Sequence, residues 1–132
     1  RTSLPDNPLF IDGNAEQLGK TIMSLLNNGM YAIAKKYGKK AYPAEIGLAL
    51  ESKDGQAVIR LYDNGVGIEQ SILDKIFDPF FTTKTTGEAA GIGLYLSKEI
   101  ILNHHGQIAV RSEKDELTEF TITLPLWEEK SV

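Results

Sequence analysis

The sequence predicts a two-layer α/β sandwich, in which helices pack on one face of a mixed, largely antiparallel sheet. Several segments alternate apolar and polar residues with a period of two, as half-buried strands do. Three other segments have helical character and are enough to cover the apolar face of that sheet. Two short connections, Asp54-Gly55 and Lys114-Asp115, are suitably placed to join neighbouring strands by turns.

Length and composition restrict the class of protein. The 132 residues are enough for one domain with a single core, and we expect that domain to span residues 1–132. The 14 basic and 18 acidic side chains give a net charge of −4, which argues against a general nucleic-acid binder. Without cysteine, the chain forms neither a disulfide framework nor a thiolate metal site. No apolar run has the length of a membrane span, so we expect no direct membrane contact by this domain.

The first half of the chain is predicted to form a helix followed by a hairpin. The apolar run Leu9-Phe10-Ile11 predicts an edge strand, and Asn14 is a suitable cap for the next helix. That helix is expected to run to about Tyr37 and to end at Gly38, with a core-facing stripe made of Leu18, Ile22, Leu25, Leu26, Gly29 and Ile33. Strands over residues 46–50 and 56–62 then form the hairpin.

The second half is predicted to add two helices and a second pair of strands. A short helix over residues 69–77 ends before Pro79, and a longer helix runs from about Gly91 to Asn103. The intervening segment 82–90 has little apolar content and is predicted to be a loop. Strands over residues 107–112 and 118–124 complete the sheet.

The stretch Asp63-Asn64-Gly65-Val66-Gly67-Ile68 is the most informative part of the sequence. By period-two alternation the Asp63 carboxylate lies on the same side of its strand as Ile59 and Leu61, which is the apolar side. A buried carboxylate needs a hydrogen-bond donor, and the two glycines that follow let the backbone approach a ligand closely. The motif therefore fits a polar ligand that carries an amino group. On its own it fits a hairpin turn equally well, because Asn-Gly after a strand favours such turns.

The first helix carries a polar face away from its core stripe, made of Ser24, Asn28, Tyr31 and Lys35. The amide oxygen of Asn28 suits an Mg²⁺ ion that shares its coordination with phosphates and water, and Lys35 is able to meet a phosphate oxygen. The alternative is a solvent-exposed face without a ligand. The basic run over residues 35–40 is likewise expected to be solvated and to complement the helix dipole.

Two segments around the predicted loop are further candidates for binding. Gly91-Ile92-Gly93-Leu94 stands at a helix start, where exposed backbone N–H groups and the helix dipole favour phosphate binding. The alternative is a flexible loop that leads into a helix. The phenylalanine-rich segment 76–81 either belongs to the core, anchors the loop or forms a docking patch.

Together these segments resemble, in their order, the ATP-binding catalytic domain of sensor histidine kinases, which has the Bergerat fold. Residues 25–29 are similar to the family's N box, 63–68 to its first glycine box, 76–84 to its F box and 87–94 to its second glycine box. The stretches 104–108 and 120–125 also resemble family segments. Each box is a weak signal singly, but the ordered set covers nearly the whole chain and is specific.

The resemblance implies a role for each matching residue. Asp63 would accept a hydrogen bond from the adenine amino group, the glycines after it would let the chain wrap the base, and Asn28 would hold the Mg²⁺ that bridges the phosphates. The segment 82–90 would be the ATP lid. The implied nucleotide-binding residues are Asn28, Tyr31, Lys35, Asp63, Gly65, Gly67, Ile68, Phe80, Thr83, Lys84, Gly87, Gly91, Ile92, Gly93 and Leu94, and the implied metal ligand is Asn28.

The resemblance also implies an activity and partners. The domain would bind Mg-ATP or ADP and donate the γ-phosphate to a histidine on an adjoining dimerisation and phosphoacceptor domain, with a response-regulator receiver domain as a further partner. No residue is singled out as catalytic. Because the acceptor histidine would lie on the adjoining domain, the isolated domain is expected to bind nucleotide but to be inactive in phosphotransfer. His104 and His105 stand at a helix end and are not expected to be the phosphoacceptor. The expected location is the cytoplasm. The start at Arg1 indicates a fragment of a longer parent protein, for which a membrane anchor is not excluded.

Several positions depart from the family pattern. Ala89 stands where a glycine is usual and Ala90 where threonine or serine is common, while Ser24 and Gly29 differ from the N box. We expect these differences to affect the affinity for nucleotide and the turnover more than the fold. Two alternatives therefore stay open at this point. One is an ATPase or chaperone module of the same fold, as in gyrase, mismatch-repair or heat-shock proteins, and the other is an interaction module deficient in nucleotide binding.

Overall fold

The computed structural model describes residues 1–38, 44–79 and 94–127 of the chain. Its five-stranded sheet has the order β1-β2-β3-β5-β4. The strands are β1 (Thr2–Ser3), β2 (Ile46–Lys53), β3 (Gln56–Asp63), β4 (Gln107–Glu113) and β5 (Leu117–Pro125), and the helices are α1 (Ala15–Tyr37), α2 (Gln70–Leu73) and α3 (Tyr95–Asn103). Among these strands β1 pairs with β2 in parallel and the other pairings are antiparallel, so the predicted mixed, largely antiparallel sheet is confirmed.

Two turns fix the register of the sheet. Asp54 (φ 53°) and Gly55 (φ 78°) are both left-handed, as a type I′ hairpin between β2 and β3 requires. The turn around Asp115 (φ 63°) joins β4 to β5 as the sequence predicts. Strand β3 also pairs with β5, which is distant in sequence, and this pairing sets Asp63 beside Thr118.

Helix α1 begins and ends at the predicted residues. The Asn14 side chain accepts a hydrogen bond from the Gln17 N–H at 3.0 Å and so caps the first turn. Gly38 ends the helix with a left-handed φ of 62°, and its N–H donates to the Ala34 carbonyl at 2.8 Å. Both ends of the helix therefore follow from local sequence.

His104 ties the end of α3 to the start of α1. Its Nε2 accepts a hydrogen bond from the Asn14 N–H at 2.9 Å, and its Nδ1 lies 2.7 Å from the Ile100 carbonyl. Because a backbone N–H donates and a carbonyl accepts, these contacts assign the ring proton to Nδ1. Both ring nitrogens are engaged in packing two helices, which supports the expectation that His104 is not a phosphoacceptor.

The predicted edge strand at Leu9-Phe10-Ile11 is wrong. The edge of β2 is occupied instead by Thr2–Ser3, with Thr2 opposite Leu48. The segment around Phe10 runs beside the end of the chain, where the Phe10 carbonyl accepts a hydrogen bond from the Trp127 N–H at 2.7 Å. An apolar run of three residues does not distinguish a strand from a packed loop.

The predicted helix over residues 69–77 is also shorter than expected. Helix α2 has four residues, and the chain then tightens into turns in which the Lys75 N–H donates to the Ile72 carbonyl at 2.9 Å. These turns leave no exposed surface on Ile76, the most deeply buried residue of the segment. Helix α3 is described from Tyr95 onward, and the predicted start at residues 91–93 lies outside the described residues.

The core lies between the sheet and the helices. Its buried residues are Leu25, Leu61, Ile68, Ile76, Leu94, Ile101, Phe120, Ile122 and Leu124. Helix α1 packs against both α3 and β3, so one face of the sheet is covered as predicted. Within the described ranges, we find no helix whose length and hydropathy would let it cross a membrane.

Candidate functional site

A cavity of about 340 Å³ opens at the end of β3, between α1, the loop after β3 and the β4–β5 turn. Its volume falls in the range of small-molecule sites in proteins, and its lining combines apolar side chains with a few polar groups. The lining residues are Asn28, Tyr31, Ala32, Lys35, Asp63, Val66, Gly67, Ile68, Glu69, Ile72, Lys114, Asp115, Thr118 and Phe120.

Asp63 is the buried carboxylate of this cavity. Only 5% of its surface is exposed, which confirms the inward orientation that strand alternation predicts. Its Oδ1 accepts a hydrogen bond from the Gly65 N–H at 2.9 Å. Burial raises the pKa of Asp63 from 3.8 to about 6, and the Gly65 N–H and the charge of Lys36 offset this rise only in part. A carboxylate in this position is suited to accept a further hydrogen bond from a ligand.

Two glycines of the loop allow close approach of the backbone. A Cβ at Gly65 would lie 2.5 Å from the carbonyl carbon of Ala32 on α1, and the next N–H, of Val66, donates to the Ala32 carbonyl at 3.3 Å. Gly67 is left-handed at φ 71°, and a Cβ there would lie 2.3 Å from the Glu113 carbonyl oxygen. Gly67 lines the cavity. Gly65 lies on the side of the loop that faces α1 and lets the loop pack against that helix.

Lys36 holds the loop from the side of α1. Its Nζ donates to the Asn64 carbonyl at 3.3 Å and to the Asp115 carbonyl at 2.5 Å. The expectation of a solvated side chain is therefore wrong for Lys36, because two carbonyls from other elements converge on its ammonium group. Lys35 is exposed, as expected, and residues 39 and 40 of the basic run lie outside the described residues.

The β4–β5 turn holds the same loop from the other side. The Asp115 N–H donates to the Val66 carbonyl at 2.6 Å, and Lys114 forms an ion pair with Glu69 at 3.1 Å. The loop therefore runs along this turn and into α2 instead of returning as the next strand. The hairpin-turn interpretation of residues 63–68 is wrong.

The polar face of α1 contributes to the cavity as helical spacing predicts. Asn28, Tyr31 and Lys35 line it, while Ser24, one turn earlier, is exposed and does not. Gly29 brings the helix close to the buried carboxylate, because a Cβ there would lie 3.3 Å from the Asp63 Oδ2. The described residues include no group of three or more His, Asp or Glu side chains that could hold a metal ion.

The sequence-predicted site residues fall into three groups. Those that line the cavity are Asn28, Tyr31, Lys35, Asp63, Gly67 and Ile68. Gly65 and Leu94 do not line it; Leu94 is only 1% exposed, in the core, and its N–H donates to the Ile76 carbonyl at 3.2 Å. The residues outside the described ranges are Phe80, Thr83, Lys84, Gly87, Gly91, Ile92 and Gly93.

Thr118 and Phe120 of β5 line the cavity, although the sequence patterns did not predict them as site residues. Thr118 is 4% exposed and pairs with Asp63, and Phe120 pairs with Leu61 two residues along. The signal that finds them is register, since the core-facing residues of β5 fall beside Asp63 once β5 is paired with β3. The other lining residues that were not predicted from the sequence are Ala32 of α1 and, from the loop, α2 and the β4–β5 turn, Val66, Glu69, Ile72, Lys114 and Asp115.

Comparison with known proteins gives a family and named relatives. The family described as histidine kinase-, DNA gyrase B-, and HSP90-like ATPase matches residues 13–128. The signal transduction histidine-protein kinase AtoS of Escherichia coli is 39% identical over 122 residues, which are 92% of this chain and 19% of AtoS. Sporulation kinase D of Bacillus subtilis is 34% identical over 123 residues, which are 93% of this chain and 22% of that kinase. The chain thus spans about a fifth of the length of these curated relatives.

Solved structures of histidine kinases share the fold. The catalytic domain of histidine kinase ThkA superposes with a TM-score of 0.75 at 25% identity, covering 94% of this chain and 76% of that one. The mycobacterial sensor histidine kinase MprB superposes with a TM-score of 0.73 at 23% identity, covering 96% of this chain and 83% of that one. With its one-sided sheet and its cavity at Asp63, the chain belongs to the histidine kinase-, DNA gyrase B- and HSP90-like ATPase family and has the Bergerat fold of histidine kinase catalytic domains.

Proposed function

We propose that residues 1–132 form a single ATP-binding domain whose cavity holds the adenine base. The observation that carries this proposal is the buried Asp63 carboxylate, which accepts one backbone hydrogen bond and faces a cavity of about 340 Å³. The exocyclic amino group of adenine supplies a further donor to this carboxylate. Ile68 and Ile72 offer apolar surface to the faces of the base.

The phosphates of the nucleotide are proposed to extend along α1. The amide oxygen of Asn28 would join phosphate and water oxygens around Mg²⁺, which neutralises phosphate charge when it is bound. Tyr31 and Lys35 line the same side, and the Lys35 ammonium brings a positive charge to the rim of the cavity. The other proposed contacts are Gly65 of the loop after β3 and Leu94 at the start of α3. They also include residues of the proposed F box, lid and second glycine box, which are Phe80, Thr83, Lys84, Gly87, Gly91, Ile92 and Gly93.

The chain is further proposed to donate the γ-phosphate of ATP to a histidine on an adjoining domain of a longer, cytoplasmic or membrane-anchored parent. The names of the relatives, a histidine-protein kinase and a sporulation kinase, support this proposal. Phosphoryl transfer depends mainly on positioning and charge neutralisation, which a cavity of this kind can provide without a nucleophile of its own. A receiver domain of a response regulator would then take the phosphoryl group from that histidine.

The exposed apolar surface of α3 supports contact with a partner domain. Leu96 is 71% exposed and Leu102 is 46% exposed, and the ring of Tyr95 is also accessible. Three exposed apolar or aromatic side chains on a nine-residue helix favour contact with another protein surface. The phosphoacceptor domain of the same parent is the partner that this proposal requires.

Two other functions compete with this one. An ATPase or chaperone module of the gyrase, mismatch-repair or heat-shock type shares the family, but the named relatives above are kinases. An interaction module without nucleotide is favoured by Ala89 and Ala90, which lie outside the described residues. The buried Asp63 argues against that module, because a desolvated carboxylate is costly to keep without a ligand to use it.

Calorimetric titration with Mg-ADP and Mg-ATP tests nucleotide binding. We expect one saturable site in the wild-type chain, loss of measurable binding in Asp63→Asn and unchanged binding in the control Asp6→Asn, whose side chain is exposed. If neither nucleotide saturates the wild-type chain at millimolar concentration, the nucleotide proposal fails. Wild-type affinity in Asp63→Asn would refute the adenine role of that residue.

Phosphotransfer is tested with γ-labelled ATP and the phosphoacceptor domain of the parent protein. The chain alone is expected to bind ATP without acquiring label, and label should appear on the acceptor histidine only when both domains are present. Sustained release of inorganic phosphate by the chain alone, without labelling of the acceptor, would favour the ATPase module instead.

A further inference from the structure

A buried pair of hydroxyl groups adjoins the cavity beside Asp63. Ser112 on β4 and Thr118 on β5 are register partners, 2% and 4% exposed, and their side-chain oxygens are 2.8 Å apart. Thr118 is also the register partner of Asp63 on β3, so the three side chains share one face of the sheet. Thr118 lines the cavity and Ser112 does not. Ser112 therefore does not contact a ligand in the cavity itself and acts on one through its lining neighbours, among them Thr118.

The contacts of Ser112 determine where the Thr118 proton lies. The Ser112 Oγ is 2.8 Å from the Ile68 nitrogen, 2.8 Å from the Leu117 carbonyl oxygen and 2.8 Å from the Thr118 Oγ1. An N–H group only donates and a carbonyl only accepts, so the Ser112 proton goes to Leu117. The two lone pairs of Ser112 then accept from the Ile68 N–H and from the Thr118 hydroxyl. All three contacts are hydrogen bonds only in this arrangement, which turns the Thr118 proton away from the cavity.

We infer that Ser112 is a specificity-determining positioning residue that makes the site select 6-amino over 6-oxo purines, an inference that rests on the proposed nucleotide function. With its proton held by Ser112, Thr118 presents only lone pairs to the cavity, beside the acceptor oxygens of Asp63. Two neighbouring acceptors match the two N–H donors of the adenine amino group. A 6-oxo group would set a third acceptor against them and leave buried polar groups unpaired.

A double-mutant cycle on base selectivity tests the role of Ser112. The Kd values of Mg-ADP and Mg-IDP, which differ in the 6-substituent of the purine, are measured for the wild-type chain, Ser112→Ala, Thr118→Val and the double variant. In Ser112→Ala the Thr118 hydroxyl is released and can donate to a 6-oxo group, so the ratio of the two Kd values should fall roughly three- to tenfold. In the Thr118→Val background the Ser112→Ala change should alter that ratio by less than about twofold.

A merely structural role of Ser112 gives a different pattern. It would weaken both nucleotides alike, or change the ratio equally in the two backgrounds, and either result overturns the inference. Ser112→Thr keeps a hydroxyl at the same position and is expected to retain the wild-type ratio. If thermal unfolding shows that Ser112→Ala is unfolded, the other two variants test the inference. Loss of selectivity in Thr118→Val together with retained selectivity in Ser112→Thr supports it. Wild-type selectivity in Thr118→Val overturns it.

The same measurements separate this inference from the proposed function. If the wild-type chain binds neither Mg-ADP nor Mg-IDP, the proposed function fails and the inference fails with it. If Mg-ADP binds and Ser112→Ala leaves the selectivity unchanged, the inference alone is overturned.

Discussion

Replacing Asp63 by asparagine removes a buried negative charge from the cavity while it preserves the shape of the side chain. The amide oxygen of the new residue can still accept the hydrogen bond that the Gly65 N–H gives to Oδ1 at 2.9 Å. The cost of the desolvated charge, which raises the pKa of Asp63 to about 6, disappears with the substitution. The variant should therefore gain stability and lose adenine binding, as expected when a group is retained for function and not for the fold.

The size of the gain follows from the pKa of Asp63. The folded-state value of about 6 lies above the ordinary 3.8, so this group contributes stability that is fully present below about pH 3.8 and is lost as the pH rises through about 6. The difference corresponds to about 3 kcal/mol, and because water in the open cavity screens the charge, we expect about 1–2 kcal/mol. Asp63→Asn should raise the free energy of unfolding by this amount near pH 7.5 and by little near pH 4.

Urea denaturation of the nucleotide-free chain measures this difference. Unfolding followed by circular dichroism at about pH 4, 6 and 7.5 gives the free energy of unfolding of the wild type, Asp63→Asn and the exposed control Asp6→Asn. The control should differ little from the wild type at any pH. If Asp63→Asn is less stable than the wild type at neutral pH, or if its gain does not depend on pH, the carboxylate is not desolvated and the reasoning is refuted.

Two further predictions concern the loop after β3. Gly65→Ala should lower the free energy of unfolding by about 1–3 kcal/mol and weaken Mg-ADP binding, because the new Cβ would lie 2.5 Å from the Ala32 backbone. The control Gly19→Ala, whose Cβ would meet nothing within 4 Å, should instead stabilise α1 by about 0.5–1 kcal/mol. Thermal unfolding measures both, and equal effects of the two changes would contradict the packing role of Gly65. Lys36→Met should raise the pKa of Asp63 further, because the charge of Lys36 lowers it, and should speed amide hydrogen exchange in residues 64–68. Unchanged exchange would show that other contacts hold the loop.

Local sequence predicts the elements whose ends depend on their own residues. Helix α1 follows from the Asn14 cap, its apolar spacing and Gly38, and the β2–β3 hairpin follows from Asp54-Gly55. The errors arise where distant contacts decide. The apolar run at Leu9-Phe10-Ile11 is not a strand, because Thr2–Ser3 occupies the edge of β2.

The same division applies to the site. Strand alternation predicts that Asp63 points inward, because that requires only the period of one strand. Thr118 could not be predicted in this way, because its place beside Asp63 depends on the pairing of β3 with β5. Lys36 could not be distinguished from the exposed Lys35 by charge pattern, since the two carbonyls that it holds come from other elements.

An NMR titration of the isotope-labelled chain with Mg-ADP tests most directly whether the cavity at Asp63 holds the adenine base. Binding there predicts that the backbone amide signals of Asn28, Gly65 and Gly67 shift in a saturable way, because these residues lie in or directly behind the lining. The signals of Arg111 and Thr121, whose side chains alternate onto the opposite face of the sheet, should stay in place. Signals that do not move at saturating Mg-ADP, or that move mainly on that opposite face, would contradict the proposed site.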